Sequence, residues 1–457
     1  MMTGQHTTVE QTLQAAESAL AAQQGTEPNS KAQDLLGRIA SMRATLAIIQ
    51  HDAETIIAQS RRALEYLHPD NLSIRTATTY TLGYAYQLQG DRAAASQAYT
   101  EVLSISKLFG DSIYTTAATL GLGQVQEAEN QLHTAAETYR RVLQLAGDPP
   151  RPIACEAHLG LARIYYQWNE LDTAQEHGRE CMQLTRQLES VDTVASCQVF
   201  LAHVKLAQSD GAGAAAILAE AETFVRQHNF VHQIPAVAAT QVLTLLLQGN
   251  LAAAAVLAQA HELPISQARV LLAQGDTPAA LVILEPLRRQ VEAKGWKDER
   301  LRVMVLQVVA LDAHGETEKA VGLLSEALEL AEPGGFIRIF VDEGLPMAGL
   351  LPQTGDRGIK PDYLRTLVEV FAAQGQRNAV EPSHLTPSSS QPLIEPLSER
   401  ELEVLRLLRT ELNGPEIARR LIVSLSTMRT HTQKIYSKLG VNNRRAAVRR
   451  AEELHLL

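Results

Sequence analysis

Two marks recur in step along most of this chain, and together they leave room for few folds. The pairs Leu82-Gly83, Leu122-Gly123, Leu161-Ala162 and Leu201-Ala202 follow one another at intervals of 40, 39 and 40 residues. Thirteen positions after each leucine stands a small residue: Ala95, Ala135, Ala174 and Ala214. This second mark extends back to Ile56 and forward to Ala254, Ala280 and Ala320, with steps of 39, 40, 39, 40, 40, 26 and 40. Turn signals precede most of the marks, as in Gln89-Gly90-Asp91, Gln248-Gly249-Asn250, Gln274-Gly275-Asp276 and His314-Gly315-Glu316. A period of this length is the signature of a stacked array, in which each unit buries its apolar face only against its neighbours. Each unit reads as a helix, a tight turn and a second helix whose small residue lets the two pack closely. Eight units are expected between residues 31 and 332, and the 26-residue step predicts that the unit near 262–274 has lost a helix or part of one.

Composition enters as support. Aromatic residues are only 4% of the 457, which suits closely packed helices better than a β-sandwich. The expected class is therefore all-α: a helical array over residues 31–332, preceded by a helix (about 9–23) and loop within residues 1–30. A helical extension over 333–377 and a Pro/Ser-rich flexible linker over 378–396 follow. Trp168, Trp296 and the tyrosines of the first helices are read as packing between repeats, with the lining of a ligand groove as the alternative.

Residues 397–457 carry a different pattern. Ser398 and Glu401 stand in the S-x-x-E relation of a capping box before an apolar stripe at Leu402, Leu405 and Leu408. Asn413 and Glu416 repeat that relation, with Pro415 in the first turn of a short second helix holding Ile417, Ala418 and Leu421. Ser426 is expected to cap a third helix with Met428, Ile435 and Leu439 on one face, ended by Gly440. The opposite face carries Arg429, Thr430, Gln433 and Lys434, with Lys438 a turn further on, side chains suited to base edges and phosphates. From 417 to 451 there are nine basic residues and no acidic one. Residues 396–457 hold 12 basic and 7 acidic groups (+5), leaving 29 and 44 (−15) for residues 1–395. A basic head on an acidic body points to double-stranded DNA as partner of the head alone.

The L-G-x-x-Y of residues 82–86, its relative at 161–165 and the G-D-x-x-x-A turns resemble tetratricopeptide repeats, which implies a right-handed helical solenoid whose concave wall holds a small-molecule or protein ligand. A period near 40 rather than 34 predicts helices longer than usual for that family. The run S-E-R-E-L-E-V-L-R-L-L, then P-E-I-A-R-R-L, then S-T-M-R-T-H-T-Q-K-I-Y-S-K-L-G-V-N-N-R resembles the LuxR-type helix-turn-helix. That resemblance implies base contacts from Arg429, Thr430 and Gln433. It implies phosphate contacts from Thr427, Lys434, Lys438 and Arg444. A fourth helix is expected to pair two heads as a homodimer on DNA through Ala447, Val448, Ala451 and Leu454. With F-x-R-x-F-V-D-E-G-x-P-M at 336–347, the stretch from about residue 30 onward is similar to the C-terminal half of the MalT-like large ATP-binding regulators. The ATP-binding half of that family has no counterpart here: no G-x-x-x-x-G-K-[ST] occurs, so it is expected upstream or as a separate chain.

Other chemistry is thin. Cys155, Cys181 and Cys197 form no C-x-x-C pair and read as small buried residues. The fourteen histidines show no ligand spacing, and neither a metal, a cofactor nor a catalytic residue is expected. No apolar run is long enough to span a bilayer and no signal peptide is visible, so a cytoplasmic protein without a membrane partner is expected. The function expected is that of a sequence-specific transcription regulator, an activator that works with RNA polymerase, its repeats receiving the signal. The alternative is a protein-interaction scaffold whose head is mainly a dimer module.

Overall fold

The computed structural model describes residues 2–23, 30–48, 50–110, 112–185, 192–354, 360–380, 397–410, 417, 419–421, 425–439, 447–448, 451 and 456, and among these every regular element is a helix. The chain forms two compact units, Met1–Ala373 and Gln374–Leu457. In the first, α1 (Met2–Gln23) precedes eight helical pairs. They are α2 (Ser30–Ile48) with α3 (Ala53–Tyr66), α4 (Leu72–Gln89) with α5 (Arg92–Phe109), α6 (Ser112–Ala128) with α7 (Leu132–Ala146), and α8 (Ala154–Gln167) with α9 (Leu171–Thr185). The array continues with α10 (Thr193–Ala207) and α11 (Gly211–His228), α12 (Ile234–Leu247) and α13 (Leu251–Ala260), α14 (Pro264–Gln274) and α15 (Thr277–Ala293), and α16 (Lys297–His314) and α17 (Thr317–Ala331).

The second mark explains the pairing. Ile56, Ala95, Ala135, Ala174, Ala214, Ala254, Ala280 and Ala320 are each the fourth residue of a second helix, and all are fully buried. Their N–H groups close the first helical turn onto the residue before the helix, as Ala95 onto the Asp91 carbonyl at 3.0 Å. That preceding residue is Asp or Asn in five units, and its side chain accepts a second N–H: Asp52, Asp91, Asp210, Asn250 and Asp276. In the turn itself Gly90, Gly275 and Gly315 take φ of 78°, 82° and 93°. Asn130 and Asn169 take the same left-handed conformation at φ 62°, which asparagine tolerates, so those turns carry no glycine signal.

The first mark has a different cause. A Cβ on Gly121 would meet the Tyr99 ring at 2.5 Å and one on Gly160 would meet Tyr139 at 2.4 Å; Gly83 and Gly123 face the same two rings from the other side. Tyr99 and Tyr139, fully buried, are thus each seated between glycines of two successive first helices.

Of the two forms that the short step allows, the structure takes the second, the loss of part of a helix. No helix is lost: α13 and α14 are both present, with 10 and 11 residues, where the other units use 14 to 19. The step is 14 residues shorter than its neighbours, and much of that is helix length given up by the adjoining α13 and α14, while the turn residues Asn250 and Asp276 are retained.

First helices of successive units pack on one another, α4 on α2 and α6 on α8, and among the described residues second helices share no comparable contact. The first helices therefore form the inner layer of the curve. Side chains 37 residues apart bridge them, as Ser41 to Thr78 at 2.8 Å, Gln87 to Gln124 at 2.9 Å and His203 to Thr240 at 3.1 Å. Neighbouring inner helices are therefore offset by about one turn.

The array curves far enough to meet itself. Trp296 Nε1 donates to the Gly90 carbonyl at 3.0 Å, Arg92 to Asp298 at 2.5 Å and Asn130 to the Lys297 carbonyl at 3.1 Å. Beyond the repeats, α18 (Arg338–Val341) folds back onto the end of α8, α19 (Leu345–Leu350) packs on α16 and α17, and α20 (Pro361–Val380) adds Leu367 to the same core. There Trp168 Nε1 donates to the Gly334 carbonyl at 2.9 Å, the Ile337 N–H to the Gln167 carbonyl at 2.7 Å and the Tyr166 hydroxyl to Asp342 at 2.8 Å. Arg338, buried, pairs with Asp342 and lies over the Tyr166 ring. Phe336, Phe340 and Leu367 join Leu132, Tyr139 and Ile164 in the largest core of the molecule. Trp168 and Trp296 thus pack between repeats, as their sequence setting suggested, but between units far apart along the chain. The three cysteines are buried free thiols. The linker expected at 378–396 begins inside α20, and residues 381–396 lie outside the described residues.

Because the same helix carries a buried mark and an exposed alanine two residues on, α11 offers an internal comparison. Ala214→Leu should lower the free energy of unfolding by about 1–3 kcal/mol through overpacking. Ala216→Leu should change it by less than about 0.5 kcal/mol. Denaturant titration of both variants checks the pair.

Candidate nucleic-acid interface

The head is organised by two helices, Glu399–Leu408 and Leu425–Leu439. The capping box read from the sequence forms: Ser398 Oγ accepts from the Glu401 N–H at 3.3 Å, and Glu401 Oε2 accepts from the Ser398 N–H at 2.8 Å. Val404, Leu405 and Leu408 from the first helix, Ile417 and Leu421, and Met428 and Ile435 from the last pack into one core. Burial of Met428 and Ile435, seven residues apart, fixes which face of Leu425–Leu439 turns outward. Thr427 and Lys434, also seven apart, are exposed. Arg429, Thr430 and Gln433 have their backbone in this helix; their side chains, like Arg444 and the caps expected at Asn413 and Gly440, lie outside the described residues. Ser426 is already within the helix, which begins two residues earlier than its expected role as cap requires.

Two other expectations meet a different geometry. Ala447 and Ala451 are fully buried in the core of the head itself and Val448 is half-buried against it, while Leu454 lies outside the described residues. Two of the four residues expected to face a partner are thus covered within one protomer. The apolar spacing marks a buried face without saying which molecule buries it. Lys438, expected at a phosphate, turns inward: its Nζ lies 2.9 Å from Glu401 Oε2, with the two side chains 16% and 5% exposed. Burial raises the Glu401 pKa, but the Ser398 N–H, the Lys438 ammonium and the Ser398 hydroxyl outweigh it, and the carboxyl ends below its ordinary value. The sequence also held no hint that Arg400 would donate to the Leu421 carbonyl at 2.7 Å, tying the first head helix to the segment before the last.

Residues 37–357 match the family described as MalT-like TPR region, well over half of the chain. The chain belongs to that family. Residues 395–451 match a second family, bacterial regulatory proteins of the luxR family, so the MalT-like body carries a LuxR-type DNA-binding domain at its C-terminal side. Among solved structures, the chain is similar to a Rap protein complexed with Competence and Sporulation Factor, at 14% identity over 71% of this chain and 92% of that one, with a TM-score of 0.55. That likeness shows a shared helical-solenoid fold. Two further similar structures are the Rap conjugation gene regulator of plasmid pLS20 in complex with the Phr* peptide (14% identity, 76% and 98% covered, TM-score 0.45) and the apo quorum sensor NprR from B. thuringiensis (12%, 65% and 88%, TM-score 0.45). Among the described residues no helix is long and apolar enough to cross a membrane.

A carboxyl whose folded pKa is depressed contributes stability above its ordinary value, and that contribution is lost as pH falls through the folded pKa. Hydrogen exchange at the amides of Glu399–Leu408 should therefore speed up in the full MalT-like chain as pH is lowered from the ordinary glutamate value of 4.5. Correction for intrinsic exchange is needed, and Glu401→Gln should flatten the dependence.

Proposed function

We propose that this MalT-like chain is a sequence-specific transcription activator whose repeat body receives a small-molecule or protein signal and whose head reads DNA. The observation that carries the reading is the helix Leu425–Leu439, held from within by Met428 and Ile435 and presenting Thr427 and Lys434 to solvent. Its length, about 22 Å, suits the major groove. On this reading Arg429, Thr430 and Gln433 contact base edges, and Thr427, Lys434 and Arg444 contact phosphates. Two heads occupy one site as a homodimer on DNA. With Ala447 and Ala451 covered within the protomer, little apolar surface is left to hold a pair in solution, so the duplex brings the heads together with half-site centres about 10 base pairs apart. RNA polymerase is the further partner of an activator bound in this way, and the cytoplasm the compartment in which it works.

The inner wall of the body is the place for the signal. Its first helices carry polar groups that remain open to solvent, such as Arg163, 40% exposed and bidentate to Glu127 at 2.6 and 2.8 Å. Glu156, pushed up by burial and by the nearby Asp192 carboxylate, accepts from Gln124 at 3.0 Å. The similar Rap structure holds a bound factor on the same fold, which supports a solenoid of this kind as a receiver.

Titration of the chain with duplexes selected from a random library tests the reading. Arg429→Ala should cost about 1–3 kcal/mol of discrimination at one base position, whereas Lys434→Ala should weaken all sequences alike and lower the salt slope by about one. Binding that is independent of salt and sequence would leave the head as a protein-interaction module. In a second measurement, inserting five base pairs between half-sites should abolish cooperative binding, because it turns one half-site to the opposite side of the duplex.

A further inference from the structure

In the LuxR-type motif the position of Lys438 is read as a phosphate contact, and the geometry assigns it elsewhere. We propose that Lys438 is a positioning residue: its ammonium, held on Glu401, fixes the tilt and register of the recognition helix against the first head helix, and sequence discrimination depends on that pair. The inference rests on the DNA-binding reading of the head.

Lys438 is the next-to-last residue of Leu425–Leu439, and Glu401 is the third of Glu399–Leu408. At 2.9 Å, with 16% and 5% exposure, the pair is nearly removed from solvent. Were the ammonium to swing out to a phosphate, the buried Glu401 carboxylate would lose the one cation that pairs with it among the described residues, an arrangement that proteins avoid strongly. The same oxygen, Oε2, also accepts the Ser398 N–H at 2.8 Å. The carboxylate therefore cannot follow the lysine outward without opening the cap of its own helix.

What the pair adds is direction. Met428 and Ile435 hold the recognition helix by apolar burial, which resists separation but only weakly resists rocking, since hydrophobic contact is non-directional. A hydrogen-bonded ion pair at the C-terminal end has both length and angle. Arg429 lies nine residues away, about 13 Å along the helix. A rock of about 10° pivoting at the pair moves that position by about 2 Å, enough to break a hydrogen bond to a base edge. Phosphate contacts from long flexible side chains tolerate such a shift. The loss on breaking the pair should therefore fall on specificity and spare charge neutralisation.

Two substitutions in the full chain separate this role from a phosphate contact. Lys438→Met keeps the aliphatic stem and removes the charge. Glu401→Gln removes the opposite charge while glutamine still accepts from the Ser398 N–H, so the capping box survives. Each variant is titrated, at several salt concentrations, with a duplex selected by the wild-type chain and with its scrambled counterpart. The expected result is the same for both: the ratio of affinities for selected over scrambled duplex falls about tenfold or more, and the slope of log affinity against log salt stays at the wild-type value. A slope lowered by about one in Lys438→Met is the signature of a lost phosphate contact and overturns the proposal, whatever the ratio does. Wild-type discrimination in Glu401→Gln overturns it as well, because a carboxylate has no attraction for a phosphate to lose. Should Lys438→Met unfold the head, as hydrogen exchange would reveal, the Glu401→Gln ratio decides alone. Absence of duplex binding by the wild-type chain is a different outcome, which removes the DNA-binding reading itself.

Discussion

Everything in the body depends on how closely two helices approach at one buried residue. With alanine, or once isoleucine, at the fourth position of every second helix, the pair crosses near the turn that joins it, and the capping Asp or Asn fixes where that crossing falls. Repeating one short-range geometry eight times sets the curvature of the array. The glycine pairs around Tyr99 and Tyr139 do the corresponding work between units, admitting an aromatic ring where a methyl group would collide. Close approach within units and aromatic insertion between them are separate devices, which is why the two sequence marks keep their register independently.

In this curved array of eight units the last unit meets the second, third and fourth. The contacts that join them are of another kind from those that build the units. They are hydrogen bonds to turn carbonyls at Gly90 and Gly334, and ion pairs such as Arg92 with Asp298. Exposed backbone carbonyls at helix C-termini are unsatisfied acceptors, and two indole N–H groups supply partners that a helix cannot. The short segment after the last repeat extends this fastening, since Arg338, Asp342 and Phe340 all bear on the turn between α8 and α9. Units four to six apart are thereby coupled.

The head solves the opposite problem, that of too little core. Its described apolar residues amount to little more than one layer, and it draws Ala447 and Ala451 into that layer, leaving less apolar surface for a partner than the pattern of the fourth helix suggests. A buried ion pair at Lys438 supplements packing with orientation. The charge split between body and head, −15 against +5, keeps the acidic body from competing for the duplex.

Local chemistry and periodicity were enough to place the eight helical pairs, the turn residues, the capping box at Ser398 and the outward position of Thr427 and Lys434, because each depends on neighbours within a turn or within one repeat. A spacing of 40 or 37 residues is a statement about adjacent units, and it can be counted. What the sequence did not determine is whatever depends on residues brought together from far along the chain. Nothing in the surroundings of Trp296 names Gly90 as its partner 206 positions away, and the 26-residue step did not say whether a helix was missing or two were short. Apolar spacing at Ala447 and Ala451 declared a buried face without declaring whose. Lysine at 438 declared a charge, and only the fold decided that a carboxylate from 37 residues earlier would hold it, since long flexible side chains take the partner that tertiary structure puts within reach.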